Sequence, residues 1–346
     1  MKIAVVTFPA DVKTDNDVFI EGLERAGHKV VKIIFDGRKI VEDVLKSELD
    51  EVDVVWAPYE RENKVAVWLG EILNKPVVGH YELISPWRTL KEDPTKWGYD
   101  VDQLSTFELE KEKWIKYYKE EIYFYKKCDT ITSPTEYCFN TVNNLEPVEK
   151  EWKEKPYIID DKLLLKYKVD RAKKEDIITI GRLVPHKRIH HIIKALAKIE
   201  NAPVLKIIGY GPEKEILQML ANELKVKIEF LGAGQQGHKA YVLQNSKLLV
   251  TPCASLPLGE ASLFKIPTIM YDVETMIQKH GKMGVYVENN NIDALAEKIK
   301  YYLDNPEEAN KEGKRSYDVL VNGETGLCLS EEATNRMIKI FSEAIK

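Results

Sequence analysis

Two basic side chains stand close together after a short apolar run in the chain. The stretch reads IGRLVPHKR and begins at Ile180; Arg182 follows Gly181 directly, and Lys187 comes five residues later. A guanidinium and an ammonium that reach the same point can bind an oxyanion such as a phosphate. The alternative is a solvated loop in a chain with 51 lysine and arginine residues. The spacing therefore indicates a candidate anion site.

Two later stretches extend this candidate site. One is GYGP, Gly209 to Pro212, and the other is LPLGEASLFKIP, Leu256 to Pro267. In the second, we expect Pro257, Gly259 and Glu260 to precede a helix whose first N–H groups have no intrahelical partner. Such groups bind anions because the helix dipole directs its positive end outward. With the two cations, they would form a cradle for a diphosphate.

The histidines and cysteines do not predict a metal site. His186, His190 and His191 lack carboxylate neighbours at metal-binding spacing, and we interpret them as surface or packing residues. His80 ends the segment KPVVGH and has two interpretations, a side chain that lines a pocket or a polar group satisfied in the core. The four cysteines show no C-x-x-C pairing, so we expect them to be reduced. No metal is expected.

Short β-branched segments alternate with longer amphipathic ones in both halves of the chain, which predicts βαβ units and a parallel sheet in each half. The first helix is predicted to begin at Thr14 or Asp15 and to end before Gly27. From Asn143 to Lys174 the periodicity breaks, and 346 residues exceed the roughly 250 to 300 at which single cores stop growing. The sequence predicts two doubly wound α/β domains, residues 1–155 and 170–325, with ligands at the strands' carboxyl ends.

Several classes of function are disfavoured. Neither G-x-G-x-x-G nor a Walker motif occurs, and a net charge of −5 argues against nucleic acid as a partner. No apolar run reaches the roughly 20 residues of a membrane span, and KIAVVTF is too short for a secretion signal, so we expect a cytoplasmic protein. In EKWIKYYKEEIYFYKK, Trp114, Tyr118, Ile122 and Tyr125 fall at helical spacing and predict a buried stripe. The lysines of that stretch leave peripheral contact with the inner membrane face as an alternative.

The motifs of the second half resemble those of a known enzyme family. IGRLVPHKRIHHIIKAL, LKIIGYGPEKEIL, IEFLG and LPLGEASLFKIPTIMYD occur in the order found in retaining glycosyltransferases of family 4, among the glycosyl transferases group 1. The resemblance covers residues 175–300. It implies the GT-B fold, in which two Rossmann-like doubly wound parallel-sheet domains face a cleft. It also implies that the last helix, residues 330–346, packs back on the N-terminal, acceptor-side domain.

The resemblance implies a role for each candidate residue. Arg182 and Lys187 would hold the donor diphosphate. Glu260 matches the second glutamate of the family's E-x7-E motif, which binds the donor ribose, and His80 resembles a histidine that lines the sugar pocket. The donor-binding residues would be Gly181, Gly209, Tyr210, Gly211, Leu258, Gly259 and Ala261. The nucleotide sugar is a substrate, and neither a cofactor nor a metal is implied.

Two departures from the family leave the substrates open. Pro252 stands eight residues before Glu260, where the first glutamate of E-x7-E is expected, so the sugar is not defined. The first turn reads FPADVKTDND instead of a glycine-rich loop, so the acceptor could be a glycan, a lipid-linked compound or a small molecule.

The implied activity is that of a retaining, metal-independent hexosyltransferase. One alternative is a nucleotide-sugar epimerase on the same fold, for which only His80 and Glu260 are at hand as proton-transfer groups. The other is a nucleotide-sugar-binding protein with weakened catalysis, and Pro252 is the main argument for it.

Overall fold

Strands from the two halves of the chain form separate parallel sheets in the computed structural model. The structure describes residues 1–7, 14–35, 49, 51–81, 111–145, 147–169, 175–234, 236–253, 256–273 and 280–346. Of these, the residues up to 158 together with residues 330–346 form an N-terminal unit, and residues 159–329 form a C-terminal unit. The turn FPADVKTDND lies largely outside the described residues.

The N-terminal unit has six parallel strands in the order β2-β1-β3-β4-β5-β6. The strands are β1 (Lys2–Thr7), β2 (Lys29–Ile34), β3 (Val54–Trp56), β4 (Val77–His80), β5 (Thr130–Ser133) and β6 (Trp152–Glu154). The described helices of this unit are α1 (Asp15–Arg25), α2 (Asn63–Leu73), α3 (Lys111–Lys127), α4 (Glu136–Leu145) and α12 (Ser330–Ala344). The winding direction reverses between β1 and β3, which makes their carboxyl ends the switch point of this sheet.

The residues at the two ends of helix α1 explain where the helix begins and where it ends. Thr14 has an extended backbone and forms the N-cap, and its N–H donates to the carboxylate of Asp17 at 2.9 Å. The helix ends at Arg25, and Gly27 follows with a φ of +84°, which glycine adopts without steric cost. Thr14 is thus confirmed as the N-cap.

Helix α12 packs against α1 and the N-terminal sheet. A Cβ added to Gly22 of α1 would lie only 2.1 Å from Oγ1 of Thr334 in α12, so the glycine permits the close approach of the two helices. The ring centroid of Phe341 lies 5.4 Å from that of Trp56, which in turn lies 5.7 Å from that of Phe19. All three aromatic side chains are fully buried, so α12 completes the core of the N-terminal unit.

The aromatic stripe of α3 is buried where its side chains are described. Ile122 and Tyr125 have 1% and 0% of their surface exposed, as the helical spacing predicts. The side chains of Trp114 and Tyr118 lie outside the described part of the helix.

The C-terminal unit has six parallel strands in the order β10-β9-β8-β11-β12-β13. They are β8 (Asp176–Ile180), β9 (Leu205–Ile208), β10 (Ile228–Phe230), β11 (Ser246–Val250), β12 (Thr268–Tyr271) and β13 (Val285–Val287). The described helices are α5 (Asp161–Leu165), α6 (Ile189–Leu196), α7 (Lys214–Glu223), α8 (Gln236–Gln244), α9 (Leu256–Leu263), α10 (Ile292–Asp304) and α11 (Pro306–Val321). Two further strands, β7 (Tyr157–Ile159) and β14 (Leu327–Leu329), pair with each other. The central strands β8, β11 and β12 are mostly buried, as in parallel sheets with helices on both faces.

Candidate functional site

The loops that follow β8 and β11 lie at the switch point of the C-terminal sheet. β8 and β11 are neighbours, and the chain winds from them to β9 and β10 on one side and to β12 and β13 on the other. In open α/β sheets, ligands bind outside the carboxyl ends of the strands at such a point. Arg182 and Lys187 follow β8, and residues 251–253 follow β11.

The ammonium of Lys187 connects these two loops. Its Nζ donates a hydrogen bond to the backbone carbonyl of Cys253 at 2.9 Å. Lys187 itself ends a 3₁₀ turn, Pro185–Lys187, and is half-buried, whereas Arg182 is exposed. The structure therefore fixes one of the two predicted cations across the switch point and leaves the other at the surface of the same loop.

Gly181 leaves space beside the lysine. A Cβ added at Gly181 would meet only the Cγ and Cδ atoms of Lys187, both at 3.9 Å, which is ordinary van der Waals contact. The glycine is therefore not required for packing within the described structure. The space over its Cα is where a ligand can approach the backbone closely.

The glycines of GYGP have a different function, because they allow two loops to pack. A Cβ at Gly209 would lie 1.8 Å from the carbonyl oxygen of Gly181, and a Cβ at Gly211 would lie 2.3 Å from that of Leu183. The N–H of Leu183 donates to the carbonyl of Tyr210 at 2.9 Å. The Tyr210 side chain is 68% exposed. Gly209 and Gly211 thus permit the close packing that holds the Arg182 loop in place, and donor binding by GYGP stays a prediction.

Helix α9 begins earlier than the sequence analysis expects. It starts at Leu256, so Gly259, Glu260 and Ala261 lie inside the helix instead of before it. The N–H of an interior residue donates to the carbonyl four residues earlier, so the N–H groups without an intrahelical acceptor belong to the first turn, up to Leu258. Gly259 has a packing role, because a Cβ there would lie 2.5 Å from Cδ1 of Ile159. The prediction that Pro257, Gly259 and Glu260 precede the helix is therefore wrong.

Glu260 has a partner that sequence reasoning missed. Its carboxylate Oε1 accepts a short hydrogen bond from the ammonium of Lys239 in α8, and both side chains are largely buried, at 12% and 14% exposure. The pair is formed by two helices that flank β11, 21 positions apart in the chain. No local pattern in GHKAYVLQNS marks Lys239 as this partner.

A third basic residue lies beneath the loop and was also not assigned from the sequence. Arg188 is fully buried and has a φ of +52°, and it donates to Oδ1 of Asn289 at 2.6 Å. Its guanidinium lies 5.7 Å from the ring centroid of Tyr271, whose hydroxyl is 3.0 Å from Nδ1 of His191. His191 is buried, as a packing residue should be, and burial is the main cause that lowers its pKa to about 3. Arg188 therefore ties the first motif to β12 and β13.

The pKa of His186 indicates that the loop after β8 is electropositive. Its pKa is lowered to about 4, first by burial and then by the charges of Lys187, Arg182 and Arg188. The imidazole is neutral at pH 7, so it adds no charge of its own. Three cations act on one half-buried side chain, which is the environment that a polyanion would neutralise.

His80 lies in the N-terminal unit and is bonded into its core. It ends β4 with 1% of its surface exposed, and its Nδ1 lies 2.9 Å from Oγ1 of Thr132. The Thr132 hydroxyl donates to the carbonyl of Gly79 at 2.7 Å, so its oxygen accepts the proton on His80 Nδ1. The Asn63 side chain bonds both the N–H and the carbonyl of His80, at 3.0 and 2.8 Å. These contacts orient the imidazole through Nδ1, and the assignment of His80 to the sugar pocket stays a prediction.

Metal ligands, cysteines and membrane-spanning helices remain to be described. Within the described ranges, no group of three or more His, Cys, Asp or Glu side chains could hold a metal ion. All four cysteines are free and buried, as expected for reduced structural residues. None of the helices in the described part of the chain is both long and apolar enough to cross a bilayer.

Comparison with known families supports the resemblance found in the motifs. Residues 164–319 match the family described as glycosyl transferases group 1. An exopolysaccharide phosphotransferase of Streptomyces coelicolor is 33% identical over 136 residues, and a poly(ribitol-phosphate) alpha-N-acetylglucosaminyltransferase of Staphylococcus aureus is 25% identical over 152 residues. These alignments cover 36% and 41% of this chain but span only 14% and 31% of the relatives' own lengths. The resemblance to group 1 glycosyltransferases is confirmed for the C-terminal unit, and assignment to the retaining family 4 stays a prediction.

Solved structures share the fold over 99% of the chain. The structure of Anabaena Alr3699/HepE in complex with UDP and glucose has a TM-score of 0.73 and 12% identity, and 100% of that chain is covered. The sucrose-phosphate synthase of Thermosynechococcus elongatus has a TM-score of 0.70 and 16% identity, and 98% of that chain is covered. At sequence identities this low, the similarity shows the fold alone. The two-unit α/β fold is GT-B, as the resemblance implies.

Proposed function

We propose that this chain, whose residues 164–319 match the glycosyl transferases group 1, is a glycosyltransferase that moves a sugar from a nucleoside-diphosphate sugar to an acceptor. The observation that supports this best is the ammonium of Lys187, which bonds the Cys253 carbonyl across the switch point next to the open space over Gly181. The Alr3699/HepE structure of the same fold contains UDP, which has the diphosphate that such a site would bind.

The proposed chemistry follows from where charge appears. Breaking the bond between the sugar and the diphosphate leaves the bonding electrons, and a further negative charge, on the nucleoside diphosphate. Arg182 and Lys187 would stabilise that charge more in the transition state than in the bound donor. The backbone N–H groups of Leu256 and Leu258 in the first turn of α9 would add dipolar stabilisation, whereas Pro257 between them has no N–H. Because two cations already oppose the charge, we propose that transfer needs no metal.

Glu260 is proposed to hold the donor ribose. Lys239 bonds Oε1 of the carboxylate, which fixes the orientation of the side chain and leaves Oε2 to accept from ribose hydroxyls. Lys239 would then be a positioning residue for the donor.

Retention of configuration and the identity of the sugar are the finer parts of the proposal. Retention rests on the family 4 resemblance, and it requires the acceptor to approach the face from which the diphosphate departs. Pro252 is buried in the loop after β11 and offers no side-chain acceptor to a sugar hydroxyl. Other groups must therefore orient the sugar. A hexose is the simplest donor sugar consistent with the resemblance.

The test measures release of nucleoside diphosphate from UDP-, GDP- and ADP-hexoses. Lys187→Ala is expected to lower turnover ten- to a thousandfold, about 1.4–4 kcal/mol of transition-state stabilisation, and Arg182→Ala is expected to lower it in the same direction. Lys247→Ala removes an exposed lysine from β11 and serves as the matched control with unchanged turnover. Full activity of Lys187→Ala would contradict the assignment.

The same assay separates the two alternative functions. A changed epimer of the sugar without release of the diphosphate would indicate the epimerase. Thermal stabilisation by a nucleotide sugar with neither product would indicate the binding protein, which the missing carboxylate at Pro252 favours. Stabilisation by no nucleotide would contradict all three functions.

A further inference from the structure

A lysine of the N-terminal unit is buried without a hydrogen-bond partner. Lys155 follows β6, and 4% of its surface is exposed. Within the described residues its ammonium makes neither a hydrogen bond nor an ion pair. Its contacts are the rings of Tyr59 and Phe19, whose centroids lie 5.1 and 5.6 Å from Nζ. The backbone is well anchored, because the N–H of Lys155 donates to the carbonyl of Ser133 at 3.0 Å.

Such a position is unfavourable for a lysine, because an ammonium in largely apolar surroundings loses part of its hydration. The two aromatic rings offset only part of this loss. Functional sites are where a protein keeps groups that its own structure does not satisfy. A ligand that satisfies the ammonium would explain why the charge is held there.

The nearby carboxyl group of Glu62 supplies little negative charge to the ammonium. Glu62 lies close enough to Lys155 for their charges to interact, but burial, the largest cause, raises the pKa of Glu62 to about 8. Its carboxyl is therefore mostly protonated at neutral pH, and it accepts a hydrogen bond from the N–H of Tyr59 at 3.0 Å.

The ammonium lies over the carboxyl ends of the N-terminal sheet. β6 and β3 are separated by β5 and β4, so they are roughly 14 Å apart at about 4.8 Å per strand spacing. Lys155 leaves the end of β6, and its Nζ reaches Tyr59, which follows β3. The Tyr59 hydroxyl in turn bonds the carboxylate of Asp15 in α1, across the switch point between β3 and β1. The cation is thus at the edge where open α/β sheets bind ligands.

We propose that Lys155 binds an oxyanion, a phosphate or a carboxylate, carried by the acceptor. The acceptor is then an anionic compound, and neutral sugars and uncharged alcohols are poor substrates. That this oxyanion belongs to the acceptor rests on the proposed function. The anion site itself does not, because it lies wholly within the N-terminal unit and can be tested without a nucleotide sugar.

The test uses two lysines that lie two positions apart. Lys155→Met removes the buried charge and keeps an unbranched side chain. Lys153→Met, the control, removes a charge that is ion-paired with Glu343 at 3.2 Å. Hydrogen exchange of the full chain is followed by mass spectrometry on peptides covering residues 52–62 and 150–158. Inorganic phosphate and, in a second arm, acetate are compared with chloride at equal ionic strength.

Phosphate or acetate is expected to slow exchange in these peptides by roughly threefold or more in the natural chain and in Lys153→Met, and not in Lys155→Met. The arm that gives the larger effect identifies the oxyanion. Equal slowing in Lys155→Met, or no slowing by either anion in the natural chain, would overturn the proposal. Peptides covering residues 180–188 report anion binding at the donor site separately.

Thermal unfolding in chloride gives a second readout. Lys155→Met is expected to raise the midpoint, because it removes a charge from a largely apolar position. Lys155→Gln, which keeps polarity without the charge, is expected to lose the anion effect as well. A midpoint that falls in Lys155→Met would show that the lysine supports the core and would count against a ligand.

Discussion

The open space over Gly181 distinguishes this glycine from Gly209, which close packing requires. An added Cβ meets only the Lys187 stem at 3.9 Å, so Gly181→Ala should change the free energy of unfolding by less than about 0.5 kcal/mol. It should weaken UDP binding roughly tenfold, about 1.4 kcal/mol, because the methyl group occupies the approach to the backbone. Isothermal titration calorimetry measures the affinity, and chemical denaturation measures the stability.

Gly209→Ala is the matched control for that prediction. Its Cβ would lie 1.8 Å from the Gly181 carbonyl, so this variant should lose stability. Unchanged UDP affinity in stable Gly181→Ala would show that no ligand approaches there.

His186 provides a titration probe of the proposed donor site. Burial first and three neighbouring cations second lower its pKa to about 4, and a bound diphosphate would oppose the second cause. UDP should therefore raise the pKa of His186 by about one unit, as followed by NMR of the imidazole protons. His191, whose pKa of about 3 is set mainly by burial beside Tyr271, should not respond and is the internal control. A response of both histidines would indicate a general structural change.

The sign of the associated pH effect follows from the same shift. Between the ordinary histidine pKa of 6.5 and about 4, the unfolded chain binds a proton at His186 that the folded chain does not. This contribution therefore makes the folded state less stable as pH falls through that window. A bound diphosphate should raise the pKa of His186 in the folded state. The lower pH limit of this window should therefore rise.

At the scale of elements, the contact between α1 and α12 depends on one missing side chain. Gly22→Ala places a Cβ 2.1 Å from Oγ1 of Thr334, and the clash should outweigh the gain of about 1 kcal/mol in helix propensity. We expect a net loss of about 1–3 kcal/mol in the free energy of unfolding, measured by urea denaturation.

The partner variant tests the cause of that loss. Thr334→Ala removes Oγ1, after which the nearest Thr334 atom to the new Cβ is its own Cβ at 3.1 Å. The double variant should recover most of the stability, and additive losses would show that the two residues do not interact.

The types of the helices and strands could be predicted from the sequence, whereas the residue at which α9 begins could not. The alternation of β-branched and amphipathic segments gives the strands that end at the site. The predicted start of α9 is too late because glycine, as at position 259, usually favours a loop over a helix. Pro257 was the available signal, since proline is favoured in the first turn of a helix and the turn therefore includes it.

For the whole molecule, the sequence predicted the fold through its motifs and the site only in part. Arg182, Lys187 and Glu260 were named from local patterns, and the structure places all three in loops or helices after β8 and β11. Lys239 and Lys155 could not be found in this way. Their environments are set by tertiary contacts. Lys239 contacts Glu260, 21 positions away, and Lys155 contacts Tyr59 across the two strands that separate β6 from β3. No periodicity encodes such contacts.

The N-terminal unit is discontinuous in the chain, because residues 330–346 belong to it while residues 159–329 do not. A ribosome therefore delivers the residues of the C-terminal unit before α12, and Phe341 reaches Trp56 only after the other unit has been synthesised. We expect the C-terminal unit to fold first on the ribosome. The apolar surface around Trp56 then stays uncovered until α12 has been synthesised. A chain that stops at Leu329 should keep protection in peptides covering residues 176–250 in hydrogen exchange and lose it in those covering residues 52–57. The N-terminal unit, which stays incomplete until α12 has been synthesised, would then be the unit that needs chaperones.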